Sequence, residues 1–237
     1  MSVFSRKKYS SYEDISVQNK KIPFAVVESY KAVRANLSFL LSSAKRNTVV
    51  VTSPNSGEGK STTAVNMAIA FSQLGERVLL IDADMRKATI HKKLKTENGD
   101  GVSNILAGMA EVGDCIKKIN ENLFFLPAGR IPPNPSELLG SPEFEKLLSK
   151  VSPAYSCVII DTPPINVVSD TLVAAPLTAG VVMVVRDGVT QHDDIKHAIS
   201  SAEFAGIKIL GAVINGIKNS SARGYRYNYY SKYYKAH

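Results

Sequence analysis

The chain contains no tryptophan and only two cysteines in 237 residues. Cys115 and Cys157 stand far apart, so the sequence offers neither a disulfide framework nor a zinc-ligand spacing. Cys157 sits inside an apolar run, where a buried thiol is expected. Long hydrophobic runs are absent as well: no stretch approaches the roughly 18–20 apolar residues that span a bilayer. The N-terminus also lacks the apolar segment of a signal peptide, which predicts a cytoplasmic protein. What remains is ordinary for a globular chain, with 44% hydrophobic residues and a length suited to one large α/β domain.

Charge of one sign is in excess, at a formal net +8. Such a balance favours acidic partners, whether nucleic acid, an anionic membrane face or an acidic protein segment. Much of it lies at the two ends, in Arg6, Lys7, Lys8, Lys20 and Lys21 and then in Lys218, Arg223, Arg226, Lys232 and Lys235. Basic ends of this kind either tether a protein electrostatically or keep it soluble, and charge alone does not choose.

Residues 1–23 are polar and aperiodic and read as a flexible lead-in to a helix running from Phe24 to about Leu41. The β-branched run from Asn47 to Ser53 reads as a buried strand, and Lys60 to Leu74 carries apolar residues at helical spacing, with Gly75 as a stop. Strand signals recur at Val78–Ile81, Leu123–Leu126, Cys157–Ile160, Val181–Val185 and Ile209–Ile214, with helical patterns between them. Uninterrupted apolar runs lack alternation because both strand faces are covered, so the fold is predicted to be α/β, a doubly wound, mostly parallel sheet over residues 24–217. From residue 218 the chain is polar and crowded with tyrosine, and without aliphatic runs it reads as a flexible tail.

The turn after the first strand is a P-loop, with Ser56, Gly57, Glu58, Gly59, Lys60, Ser61 and Thr62 placed to wrap phosphate. Glycines admit close approach of backbone N–H groups, the following helix points its positive end at the anion, and Lys60 reaches the β- and γ-phosphates. Ser61 is expected to ligate Mg²⁺. Pro54 stands where a P-loop normally has its first glycine, so the loop is a variant. Two strand ends supply the hard oxygen ligands that Mg²⁺ requires: Asp161 after Val158–Ile160, as in a Walker B strand, and Asp82 with Asp84 after Val78–Ile81. Asp82 is the candidate for orienting a hydroxyl nucleophile and taking its proton, with Asp84 assisting as metal or water ligand. Arg86 reads equally well as a phosphate contact or as a surface partner.

The P-loop, the Asp82-x-Asp84-x-Arg86 strand end and the Asp161-x-Pro163-Pro164 strand end together resemble the kinase domain of bacterial tyrosine kinases that govern capsule and exopolysaccharide synthesis. The segments 101–108, 127–139 and 185–190 are also close to that family's phrasing. The resemblance implies a P-loop NTPase fold of the deviant Walker group and a Mg²⁺- and ATP-dependent autokinase that modifies its own C-terminal tail in trans. The phosphoacceptors it implies are Tyr225, Tyr227, Tyr229, Tyr230, Tyr233 and Tyr234, six of ten tyrosines in the chain, and each phosphate added there brings about −1.5 to −2 charges to a basic segment. Without the resemblance, such a tail weighs as heavily for RNA stacking or a membrane surface.

The family's helix motif for ring assembly has a counterpart in Glu28, Lys31 and Arg34, with lysine at the middle position where arginine is usual. Three-residue spacing sets the three on one helical face, either as an intermolecular seam or as a solvated surface. The resemblance further implies a homo-oligomeric ring, a membrane adaptor that activates the kinase at the inner face of the cell membrane, a cognate phosphotyrosine phosphatase and no nucleic-acid partner. Asn215 matches the position from which related ATPases contact adenine, although a strand-end asparagine also serves as a turn residue. A different reading is a positioning ATPase of the same group without tyrosine kinase activity. Those proteins usually carry an extra lysine near the start of the loop, where this chain has Asn55.

Overall fold

The structure is a computed structural model and describes residues 22–217. The proposed tail tyrosines and most of the N-terminal segment lie outside the described residues.

The seven strands are β1 (Thr48–Thr52), β2 (Val78–Asp82), β3 (Lys117–Lys118), β4 (Leu123–Leu126), β5 (Cys157–Asp161), β6 (Val181–Arg186) and β7 (Ile209–Asn215). They form one sheet in the order β3-β4-β2-β5-β1-β6-β7, parallel except for the antiparallel β3 at one edge. The apolar runs form these strands because helices cover both faces. Val49, Val51, Leu80, Ile159 and Val182 face one core, while Val50, Leu79, Ile81, Ile160 and Val181 face the other. A core side chain of this size contributes about 1.5–3 kcal/mol when fully buried.

One core is closed by α1 (Phe24–Ser42), α2 (Lys60–Ser72) and α3 (Ile90–Lys93). The second lies under α4 (Val102–Leu106), α5 (Val112–Cys115), α6 (Pro135–Leu139), α7 (Pro142–Val151), α8 (Asp170–Ala174) and α9 (His192–Phe204). Both cysteines are buried and unbonded, Cys157 as its apolar run suggested.

The predicted strands and the two long N-terminal helices form within a residue or two of their expected bounds. Two features differ. β3 has no apolar run to announce it, since it is a pair of lysines laid against β4. β7 carries the sequence of a strand covered on both faces, yet Gly211, Ala212 and Ile214 are exposed, because it is the last strand of the sheet and is only partly roofed.

Connections from β1 lead across to β2 on one side, while β6 and β7 lie on the other, which makes the C-terminal end of β1 the switch point of the sheet. Open α/β sheets bind ligands in the crevice at such a point. The P-loop, Asp82 and Asp161 all lie there.

Candidate nucleotide site

The loop between β1 and α2 owes its shape to glycine at two positions. Gly57 and Gly59 have φ of +84° and +99°, left-handed values that side chains disfavour. A Cβ on Gly59 would also collide with the side-chain amide of Asn215.

Glu58, the residue between these glycines, is only 2% exposed, and its carboxylate turns away from the crevice to brace the loop. It accepts the backbone N–H of Asn55 at 2.9 Å and the hydroxyl of Thr190 at 2.6 Å. Thr190 in turn accepts the N–H of Arg186 at 2.7 Å, and the Arg186 guanidinium donates to the Gly57 carbonyl at 2.9 Å. Asn215 donates its amide to the Glu58 carbonyl at 2.9 Å. The ends of β6 and β7 thus hold a loop that has Pro54 in place of the usual glycine.

α2 begins directly at Lys60, with Gly59 as its N-cap, so its unpaired N–H groups and positive dipole end face the loop. β5 lies between β1 and β2, with Asp161 opposite Val51 on one side and opposite Asp82 on the other. This pairing gathers three acids around one lysine. Lys60 Nζ lies 2.7 Å from Asp84 Oδ2 and 3.6 Å from Asp161 Oδ2. Burial alone would lower the proton affinity of Lys60, but Asp161 and Asp84 outweigh it and hold the ammonium above its ordinary range.

The three acids differ in what their oxygens do. Asp82 is fully buried, and its oxygens accept the backbone N–H groups of Asp84 and Ile90, both at 3.2 Å. Burial and then the Asp161 carboxylate push its pKa well above the usual carboxylate range. Asp84 marks the bend after β2, accepting the N–H of Lys87 at 3.0 Å while its other oxygen meets Lys60. Asp161 is also fully buried, and neither of its oxygens has a hydrogen-bond partner. Burial raises its pKa, with Lys60 opposing.

A buried carboxylate without a donor is costly unless something binds there. Among the described residues no three acidic, histidine or cysteine side chains close into a protein-only metal cage. The arrangement fits a cation that keeps phosphate and water ligands, with Ser61 and Asp161 as the protein ligands.

The crevice itself is a pocket of about 350 Å³ lined by Ser56, Gly57, Gly59, Lys60, Ser61, Thr62 and Asp84, and closed on the far side by Pro163, Pro164, Val167 and Val168. Of the sequence candidates, Asp82, Asp161, Glu58 and Asn215 do not line it. Asp82 and Asp161 are fully buried next to Asp84 and Lys60, and the other two side chains brace its loop.

Lys87, Thr89 and Lys93 also line the pocket. They escaped sequence reading because no motif marks them. Arg86 lies at the rim, where its guanidinium forms a two-point pair with the fully buried Asp170, each bond 3.0 Å, supported by Ser136. It is a partner of Asp170 rather than a free surface cation.

In the helix motif, Lys31 pairs with Glu28 at 2.8 Å on the exposed face of α1. Arg34 instead donates to the Ala70 carbonyl at 2.7 Å and ties α1 to the last turn of α2.

The fold recurs in proteins named as tyrosine kinases. A family model described as an AAA domain matches residues 46–191. The tyrosine-protein kinase YwqD of Bacillus subtilis is 39% identical over 201 residues, which span 84% of this chain and 85% of YwqD. The tyrosine-protein kinase CpsD of Streptococcus agalactiae is 36% identical over 208 residues, spanning 86% of this chain and 90% of CpsD. The solved kinase domain of Escherichia coli tyrosine kinase ETK superposes with a TM-score of 0.83 at 28% identity, covering 94% of this chain and 86% of that domain. With a P-loop braced at the switch point of a parallel sheet and matches of this length, the chain belongs to the family of bacterial tyrosine-protein kinases built on a P-loop NTPase domain.

Proposed function

We propose that the protein is a Mg²⁺- and ATP-dependent protein-tyrosine autokinase that phosphorylates tyrosines of its own C-terminal tail in trans and thereby regulates capsule or exopolysaccharide synthesis. The observation that carries this reading is the cluster of Lys60, Asp84 and Asp161 at the mouth of the P-loop helix, with distances of 2.7 and 3.6 Å around one ammonium.

In the reaction a tyrosyl oxygen bonds to the γ-phosphorus of ATP, the bond from that phosphorus to the ADP oxygen breaks, and the phenolic proton passes to a carboxylate. Backbone N–H groups of Ser56 to Thr62 and the start of α2 bind the phosphates. Lys60 exchanges its contact with Asp84 for the β- and γ-phosphates, which frees Asp84 to face the acceptor. Asp82 lies one layer deeper, and its high proton affinity suits a group that accepts a proton from a phenol. Its direct use requires the Lys60–Asp84 pair to part first. Ser61, Asp161 and, after such a change, Asp82 are the groups that would hold Mg²⁺. When bound, the ion supplies positive charge that offsets the charge developing on the transferred phosphoryl group.

The acceptors in this reading are Tyr225, Tyr227, Tyr229, Tyr230, Tyr233 and Tyr234. A tail delivered from a neighbouring copy reaches the pocket at high effective concentration, which favours a homo-oligomeric ring with Glu28 and Lys31 on exposed helix faces. Among the described residues no helix is long and apolar enough to cross a membrane. A membrane adaptor holding the kinase at the cytoplasmic face supplies that function, and a phosphotyrosine phosphatase resets the tail.

The test is incubation of purified protein with Mg-ATP, read by intact mass and phosphotyrosine detection. The full chain should gain several phosphates, whereas Lys60→Met and a chain ending at Ser221 should gain none. Equal phosphate on the shortened chain would overturn the tail assignment, and ATP hydrolysis without phosphotyrosine would identify a positioning ATPase instead.

A further inference from the structure

Lys93 comes from a different part of the chain than the P-loop, yet it reaches the same pocket. α3 is pinned at its start, where the Ile90 N–H donates to Asp82 at 3.2 Å, and Ile90 and Leu94 bury their side chains in the core. Two neighbours anchored in this way leave Lys93 on the pocket side. Its Nζ lies 3.1 Å from the hydroxyl of Thr62, in the first turn of α2, and it lines the crevice beside Lys60 and Ser61.

The charge balance of the pocket gives this placement a purpose. Lys60 already faces two carboxylates, Asp84 and Asp161. Its charge is therefore largely matched before any nucleotide arrives, and the several negative charges of nucleotide phosphates leave room for a further cation beside Lys60 and Mg²⁺. Lys93 meets a neutral hydroxyl and pairs with no carboxylate among the described residues. Burial lowers its pKa, partly countered by Asp161, so a bound anion would relieve an unfavourable position. A lysine held half-buried against the helix start that receives phosphate is placed to contact it.

We propose that Lys93 is a second phosphate-binding cation of the nucleotide site and that it contacts the diphosphate portion common to ADP and ATP. The inference rests on the kinase reading above, in that it takes the pocket to be the nucleotide site. Position decides which phosphates it meets. Lys60 serves the β- and γ-phosphates, whereas Thr62 lies further along the loop-to-helix run whose N–H groups cradle the α- and β-phosphates. Lys93 should therefore strengthen ADP and ATP equally, lowering KM with little effect on kcat, as a contact made alike in ground and transition states does.

The experiment is calorimetric titration of Mg-ADP and a non-hydrolysable Mg-ATP analogue into wild type, Lys93→Met, Lys93→Gln, Lys93→Arg and Lys60→Met, with nucleotide-free melting curves for each. Lys93→Met and Lys93→Gln should bind both nucleotides about tenfold more weakly, the loss of one charge-assisted phosphate contact. Their affinity should depend less on salt, and they should melt no lower than wild type. Lys93→Arg should bind within about threefold of wild type, because it keeps the cation. Lys93→Gln keeps a hydrogen bond to Thr62 without the charge, so wild-type affinity in that variant would overturn the proposal. So would a lower melting temperature that accounts for the lost affinity of Lys93→Met. If wild type itself binds neither nucleotide, the nucleotide site falls and this inference with it. If wild type binds, Lys60→Met does not and Lys93→Met matches wild type, the inference alone falls.

Discussion

Replacing Asp161 with asparagine should make the nucleotide-free protein more stable while abolishing its kinase activity. Asp161 is fully buried at the end of a central strand, both of its oxygens lack hydrogen-bond partners, and Asp82 sits opposite it in register. An unsatisfied buried polar group costs about 1–3 kcal/mol, more when charged. Against that stands the attraction to Lys60 at 3.6 Å, but Lys60 keeps its closer partner Asp84 at 2.7 Å in the variant. Asparagine keeps the shape and an uncharged polar group, so what is removed is the excess cost of burying the charge, a net gain of about 1–2 kcal/mol. For a domain of this size each kcal/mol moves the melting temperature by ~2–4 °C, which predicts a rise of about 2–8 °C.

The pH dependence has a definite sign. An acid whose folded pKa is raised above its ordinary value of 3.8 lets the folded state bind the extra proton, so stability falls as pH climbs from there through the raised value. Its contribution is fully present below 3.8. The gap between the variant and wild type should thus be widest at neutral pH and close on acidification. Thermal melts followed by circular dichroism between pH 4.5 and 8 measure it, with Mg-ADP added in a parallel series. Wild type should gain stability from Mg²⁺ together with ADP, and the variant should lose the Mg²⁺-dependent part. A variant that melts below wild type at neutral pH, or a gap that grows on acidification, would refute the reasoning.

Arg86→Ala should destabilise the fold by about 2–4 kcal/mol in chemical denaturation, because it strands the buried Asp170 carboxylate. Arg86→Lys should recover only part of that, since lysine lacks the two-point fork. Gly59→Ala should abolish nucleotide binding in calorimetry and lower stability by roughly 1–3 kcal/mol, the cost of a side chain at a left-handed φ pressed against Asn215. Cys157, whose thiol burial pushes up to about 12, should resist iodoacetamide at pH 8 in the folded chain and react readily once denaturant exposes it, as mass spectrometry of timed samples would show.

The parallel sheet and the P-loop were legible in the chain because their signals are local. Val-Val-Val in β1, Val-Ile-Ile in β5 and the glycine-lysine-serine turn each state their conformation within a few residues. β3 was not legible, since two lysines form a strand only where β4 presents an open edge. The identity of the acids was legible too, but not their division of labour. Asp82 and Asp84 are two residues apart, a spacing that sets both on one face of a continuing strand, yet β2 ends at Asp82, so one carboxylate turns inward to backbone N–H groups and the other reaches Lys60.

The sequence by itself determined that this is a doubly wound P-loop protein with acids at two strand ends, because apolar periodicity and glycine placement act through neighbours along the chain. Tertiary structure alone decided how the pocket is finished. Lys93 meets Thr62 across 31 positions, Arg86 meets Asp170 across 84, and Thr190 meets Glu58 across 132. Contacts over such separations depend on strand order and helix docking, which no local pattern encodes. They set which charges are matched and which wait for phosphate.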